Sequence, residues 1–173
     1  KAFQQNGASK SPSWVNDVRQ SALTAFSEHG FPTTKEEDWK YTNVAPIAKA
    51  EFTYSSTTAN VSSEFVKSLL VDGIDQYVIV FVNGHLAKEH SQLNGLPSGV
   101  VVKNLIDAYA AHQTIIKEHL SHYATFEKNP FTALNTAFIN DGAFVHVPAN
   151  VIVDKPIHLL FISSKNESHQ SAS

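Results

Sequence analysis

Apolar side chains recur every fourth residue at Trp14, Val18, Ala22 and Phe26, with Val15 and Ala25 alongside. Asp17, Arg19 and Gln20 fall opposite, so this spacing predicts one amphipathic helix with a single buried stripe. Ser11 suits its N-cap and Pro12 its first position. Gly30 suits the C′ position, and Phe31-Pro32 imposes an extended exit. Residues 1–10 are small and polar and are expected to be a disordered tail. Thr34-Lys35-Glu36-Glu37 reads as a capping box with Thr34 at the N-cap, opening a short turn through Trp39 and Tyr41. Residues 43–52, which include Pro46, favour no element, and residues 55–60 read as a loop. Ser62 or Ser63 then caps a helix with Phe65, Val66, Leu69 and Leu70 on one face, stopped by Gly73.

The pattern changes at Tyr77. Residues 77–82 are an unbroken apolar, mostly β-branched run, and Asn83-Gly84 follows, the pair best suited to a tight hairpin turn. Residues 85–90 are expected to return as a strand and residues 100–103 to form another. Residues 104–112 and 114–123 read as two short helices. Asn129-Pro130 gives an N-cap followed by proline at N1, and Phe131, Leu134 and Phe138 form a helical stripe closed by Asn140-Asp141-Gly142. Beyond Gly142, residues 143–147, 151–153 and 157–163 read as short strands divided by Pro148 and Pro156. In the last of these both faces are apolar, Ile157, Leu159 and Phe161 against Leu160 and Ile162. Such a strand expects cover on both sides, so its partner strands are expected in sequence beyond that given. Without them its edge would invite pairing with a second copy of the chain.

The fold class is therefore α+β. We expect an N-terminal tail (1–10), a helical and α+β domain with a β-hairpin (11–141), a strand segment (142–163) and a polar tail (164–173). The 173 residues are 42% hydrophobic, enough for a packed core, and 13 Lys+Arg against 16 Asp+Glu give a net charge of −3. That balance argues against a nucleic-acid protein. No cysteine is present, which excludes disulfides, a cysteine nucleophile and thiolate ligation of iron or zinc by this chain. No apolar stretch reaches the length of a membrane span, so a cytoplasmic location is expected. Methionine is absent even at position 1, which suggests a start inside a longer reading frame, or a start residue that was removed or is not ordered.

The candidate chemistry is sparse. His119 and His122 are three apart on a predicted helix and could share an ion, but Glu118 precedes both, so the HExxH arrangement is absent. His112 is two turns away, and a third ligand would have to come from elsewhere. The simpler reading is an exposed helix face. His146 and His158, on predicted strands, could line a shared face at an assembly interface, although most such histidines are hydrogen-bonded surface groups. His85 reads as an exposed hairpin residue. No G-x-S-x-G, G-x-G-x-x-G or GK[ST] motif occurs. Glu36, Glu37 and Asp38 suit the first turn of a helix electrostatically. Trp39 and Tyr41 are expected to anchor their segment to the core, with a partner-binding patch as the alternative.

Pro32-Thr33-Thr34-Lys35-Glu36-Glu37-Asp38-Trp39-Lys40-Tyr41-Thr42 resembles the N-terminal signature of the SufD family of the SUF iron–sulfur cluster assembly system. Three later stretches resemble it too: Phe81-Val82-Asn83-Gly84, the run from Asn129 to Phe138, and the run from Asp141 to Pro148 continuing through Lys155-Pro156-Ile157-His158. The last is shared in looser form with SufB. The resemblance implies a helical and α/β N-terminal region leading into a right-handed parallel β-helix. It also implies a non-catalytic scaffold working with SufB-like and SufC-like subunits, in the cytoplasm or a plastid. The chain ends within the first β-helix strands, and the later regions that engage those partners lie outside it. Accordingly no catalytic, cofactor-binding or metal site is assigned, and any cluster is expected to assemble on the full complex. The alternatives are a metal-dependent enzyme using His119 and His122, and a stand-alone protein-binding module.

Overall fold

A computed structural model describes residues 11–50 and 59–164. The tail expected at 1–10, all but Ser164 of the tail expected at 164–173, residues 51 and 52 of the unassigned stretch, and most of the loop expected at 55–60 lie outside the described residues. The chain forms two compact units that interleave in sequence, Lys1–Tyr54 with Tyr109–Asn140 and Ser55–Ala108 with Asp141–Ser173. The strand segment after residue 141 therefore belongs to the same unit as the hairpin.

The first unit is helical. Helix α1 (Ser13–His29) follows Pro12, whose extended backbone occupies the N-cap, and it ends at Gly30 with a positive φ of 69°. Ser11 makes no cap hydrogen bond, so the start is set by proline geometry. The stripe is wider than the sequence suggests, because Arg19 is 1% exposed and lies among the buried residues with Val15 and Ala22. Its Nε donates to the Ala137 carbonyl at 3.2 Å, at the end of a helix spanning Pro130–Ala137. There the helix dipole favours a cation.

After Pro32 the capping interaction sits one residue earlier than expected. The Thr33 N–H donates to Glu36 Oε1 at 2.7 Å, and a 3₁₀ turn follows over Glu37–Trp39. Both Thr33 and Thr34 have a glutamate three residues on, so spacing alone does not separate them. Residues 43–52, unassigned from sequence, contain helix α2 (Ala45–Lys49), opened by Asn43 Oδ1 accepting from Ala45 N at 3.0 Å.

The second unit holds helix α3 (Ser63–Ser68), capped by Ser62, whose hydroxyl oxygen accepts from Phe65 N at 3.2 Å. Val66 is buried and Leu70 packs beside it, while Phe65 and Leu69 face outward, so the apolar face is narrower than expected. Strand β1 (Tyr77–Val82) is buried at every position. Asn83 and Gly84 have φ of 51° and 81°, as a type I′ turn requires. The returning strand β2 is only His85–Leu86, and Lys88–His90 form a 3₁₀ turn instead of its continuation. Strand β3 (Val101–Asn104) runs directly into helix α4 (Leu105–His119). Two helical segments meet within this run, as expected, but at a kink at His112, where φ is −128° and ψ 23°, and not at Gln113.

Helix α5 (Pro130–Ala137) begins as its sequence predicts. Asn129 Oδ1 accepts from Phe131 N at 2.9 Å and from Thr132 N at 3.1 Å. Strands β4 (Ala143–His146) and β5 (Ile157–Ile162) follow, and residues 151–153 are not a strand. Strand β4 pairs antiparallel with β3, and β5 pairs parallel with β1 from Tyr77↔Ile157 to Val82↔Ile162. The first sheet therefore has the order β2-β1-β5. The partner strand expected only beyond the chain is thus found, on one side, in β1.

Candidate interaction surface

Because β1 is the central strand, it is covered on both faces. On one, Val78, Val80 and Val82 pack with Val61, Val66, Ala87 and Ile162. On the other, Ile79 and Phe81 pack with Val102, Leu93, Leu96 and Ile157. Burying an apolar side chain of this size is worth about 1.5–3 kcal/mol, so a strand buried at all six positions makes a large contribution to the unit's stability.

Strand β5 is packed along its first face but on its second face mainly at Ile157. Leu160 and Ile162 join the first cluster, and Ile157 joins the second. Leu159 and Phe161, on the second face, are 42% and 62% exposed. Phe161 stacks on Phe81 with ring centroids 5.1 Å apart and planes 11° from parallel. Val145, Val147 and Ile152 of the same unit are also exposed. Among the described residues no strand pairs with the outer edge of β5, and no charge occurs from Ile157 to Ile162. An uncharged, apolar edge with open backbone groups is a template for further strand pairing.

The strand is fixed in this position at both ends. Before it, the Lys155 ammonium lies 2.7 Å from the Asp75 carboxylate and 5.6 Å from the centre of the Tyr77 ring. The hydrogen bond to Asp75 holds the lysine above its ordinary pKa. His158 Nδ1 lies 3.0 Å from Gln76 Oε1. After it, Ser164 N donates to Asn83 Oδ1 at 2.9 Å, and Asn83 N donates to the Ile162 carbonyl at 2.8 Å. The hairpin turn thus clasps the end of β5.

The other candidates are placed as follows. His119 Nδ1 lies against the Tyr123 hydroxyl and His122 Nδ1 against the Glu118 carbonyl, so each is engaged locally on an exposed turn. Among the described residues no three His, Asp or Glu side chains converge as metal ligands would. His146 and His158 do not share a strand face: His146 is on β4, stacked on Phe144, and His158 is on β5 in the other sheet. Glu36 serves the Thr33 cap. Trp39 is half-buried against Phe131, with centroids 5.3 Å apart, at the end of a row of rings from Phe26 through Phe31 to Phe131. Tyr41 is 91% exposed and anchors nothing, because the turn that buries Trp39 points it outward. No described helix is long and apolar enough to cross a membrane.

The class these observations define is an α+β fold in which the first strand of a hairpin takes up a late strand in parallel. Residues 1–159 match the family model for the SufBD protein N-terminal region, and the chain belongs to that family. An iron–sulfur cluster assembly SufBD family protein of Synechocystis sp. is 30% identical over 148 residues, covering 84% of this chain and 32% of the relative. The iron–sulfur cluster assembly protein SufD of Bacillus subtilis is 25% identical over 163 residues, covering 91% and 37%. A SufBD family protein of Staphylococcus aureus is 25% identical over 167 residues, covering 90% and 36%. The chain spans about a third of the length of these relatives.

Proposed function

We propose that this chain is the N-terminal part of a non-catalytic scaffold subunit in a SUF iron–sulfur cluster assembly complex of the SufB–SufC–SufD type. The observation that carries the reading is the outer edge of β5, fixed at both ends and open between them, in a chain of this family. In this reading the parallel β1–β5 pair starts a stack that continues as a right-handed parallel β-helix, whose coils bury one another's faces. Leu159 and Phe161 then become interior residues of the first coils. The chain itself holds no cofactor. Without thiolates it leaves cluster ligation to its partners or to other parts of the scaffold. A cytoplasmic or plastid location follows from the same reading.

The test is co-expression of the full-length protein with its SufB-like and SufC-like subunits, followed by size-exclusion chromatography and metal analysis. The expected result is a stable complex of all three, with no stoichiometric metal on the subunit when purified alone. Failure to co-purify with either subunit would overturn the scaffold reading. A stoichiometric metal lost on His119→Ala or His122→Ala would replace it with the metal-dependent enzyme.

A further inference from the structure

The chain contains three Asn-Gly pairs; two of them, Asn83-Gly84 and Asn94-Gly95, lie among the described residues, and the fold treats these two differently. We propose that Asn94 is a site of spontaneous deamidation and backbone isomerisation, while Asn83 is shielded by the end of β5.

The reaction needs an asparagine carboxamide free to turn onto the next residue's backbone nitrogen, and no side chain on that next residue to obstruct it. The Gly95 nitrogen attacks Cγ of Asn94, forming a C–N bond. The Cγ–Nδ2 bond breaks, and the proton lost by Gly95 leaves with ammonia. Water then opens the cyclic imide at either carbonyl, giving aspartate or isoaspartate. No oxidant or reductant is required.

Asn94 and Gly95 lie together in an exposed turn, with Gly95 at φ 84°. Among the described residues the Asn94 side chain has no hydrogen-bond partner, and the Gly95 N–H has no acceptor. The Gly95 carbonyl accepts from the Tyr77 hydroxyl at 2.8 Å, which steadies the following peptide without blocking the nitrogen. Asn83 presents the opposite case. Its Oδ1 accepts from Ser164 N, its own N–H donates to the Ile162 carbonyl, and its Nδ2 is buried. Its carboxamide cannot rotate onto Gly84 unless the end of β5 lifts away.

The position gives the modification a structural consequence. Leu93 and Leu96, on either side of the pair, pack against Ile79, Phe81 and Val102. Gln92, two residues earlier, exchanges backbone hydrogen bonds with Val78 at 2.7 and 2.9 Å. An isoaspartate at position 94 inserts a methylene into the main chain between these anchors.

The experiment incubates the purified full-length protein at mildly alkaline pH and maps products by peptide mass spectrometry, with isoaspartyl methylation identifying the isomer. Opening the Asn83 hydrogen bonds should make conversion there about tenfold slower than at Asn94. In urea the two rates should converge, and Asn94→Gln should remove the product mapped to the peptide that carries residue 94. Conversion at Asn83 as fast as at Asn94 in the folded protein would overturn the proposal. So would a rate difference that persists unchanged in urea, since it would then arise from local sequence and not from the fold.

Discussion

The Asp141 carboxylate accepts the backbone N–H of Ile106 at 3.2 Å, across 35 positions of sequence. It also accepts from Gly142 N at 2.9 Å and from Asn104 Nδ2 at 3.1 Å, while Leu105 N donates to the Gly142 carbonyl at 2.7 Å. The first turn of α4 has orphan N–H groups, and Asp141 and Gly142, just before β4, supply acceptors for two of them. This carboxylate therefore caps a helix from a remote part of the chain and fixes the end of the β3–β4 ladder.

Asp141→Ala should lower the unfolding free energy by about 1–2 kcal/mol, as loss of a good helix cap does. Asp141→Asn, which keeps one acceptor oxygen, should cost less. Urea titration of both variants reads this directly, and equal losses would show that the side chain acts through something other than acceptance.

Local chemistry was legible in advance and distant pairing was not. The Asn83-Gly84 turn and the Asn129 cap are set by residues adjacent in sequence, and both form as expected. Arg19 looked like a solvent-facing residue because its acceptor, the Ala137 carbonyl, is 118 positions away. Periodicity places a residue on a helix face but does not reveal which neighbour will cover it. The same holds for the candidate surface. The apolar character of both β5 faces was visible, but its parallel pairing with β1 was not, because no turn signal links strands so far apart.

Trp39 and Tyr41 should separate cleanly on mutation. Trp39→Ala removes a half-buried ring from the Phe131 contact and should cost about 2–3 kcal/mol, somewhat below the full core value. Tyr41→Ala should change stability by no more than about 0.5 kcal/mol. Thermal denaturation of the two variants side by side is sufficient. A larger loss at Tyr41 than at Trp39 would contradict the arrangement.

At Gly84 a Cβ would meet nothing within 4 Å, so any cost there comes from the backbone alone. With φ at 81°, Gly84→Val should destabilise by about 1–2 kcal/mol or more, the valine being β-branched. Gly84→Asn should be tolerated better, since asparagine accepts positive φ. If valine and asparagine behaved alike, the turn would not be type I′ in solution.

Two exposed charges set the pH dependence at the extremes. Hydrogen bonds from its own backbone N–H and from the Ser62 hydroxyl hold the Glu64 carboxyl below its ordinary pKa. Its contribution is present above the unfolded-state value and is lost as pH falls through the depressed folded value. Lys155 runs the other way. Its raised pKa gives a contribution present below the unfolded-state value and lost as pH rises through the raised folded value. Glu64→Gln should therefore flatten the acid limb of the stability profile and Lys155→Gln the alkaline limb. Denaturant midpoints across pH would show this, and an unchanged acid limb in Glu64→Gln would remove Glu64 from the account.

The two faces of β5 should differ in what they cost to truncate. Ile162 is buried with Val78, Val80 and Val82, and Ile162→Ala should lose about 2–4 kcal/mol in the chain alone. Phe161 is largely exposed and stacks on Phe81, so Phe161→Ala should lose about 0.5–1.5 kcal/mol there. In a full-length protein whose further strands cover this face, Phe161 becomes a core residue and the same change should cost about 3–5 kcal/mol. The two measurements together locate the next layer of the fold. A Phe161 penalty that stays near 1 kcal/mol in the full-length protein would mean that the outer face of β5 remains open to solvent. The β-helix would then have to begin elsewhere in the chain.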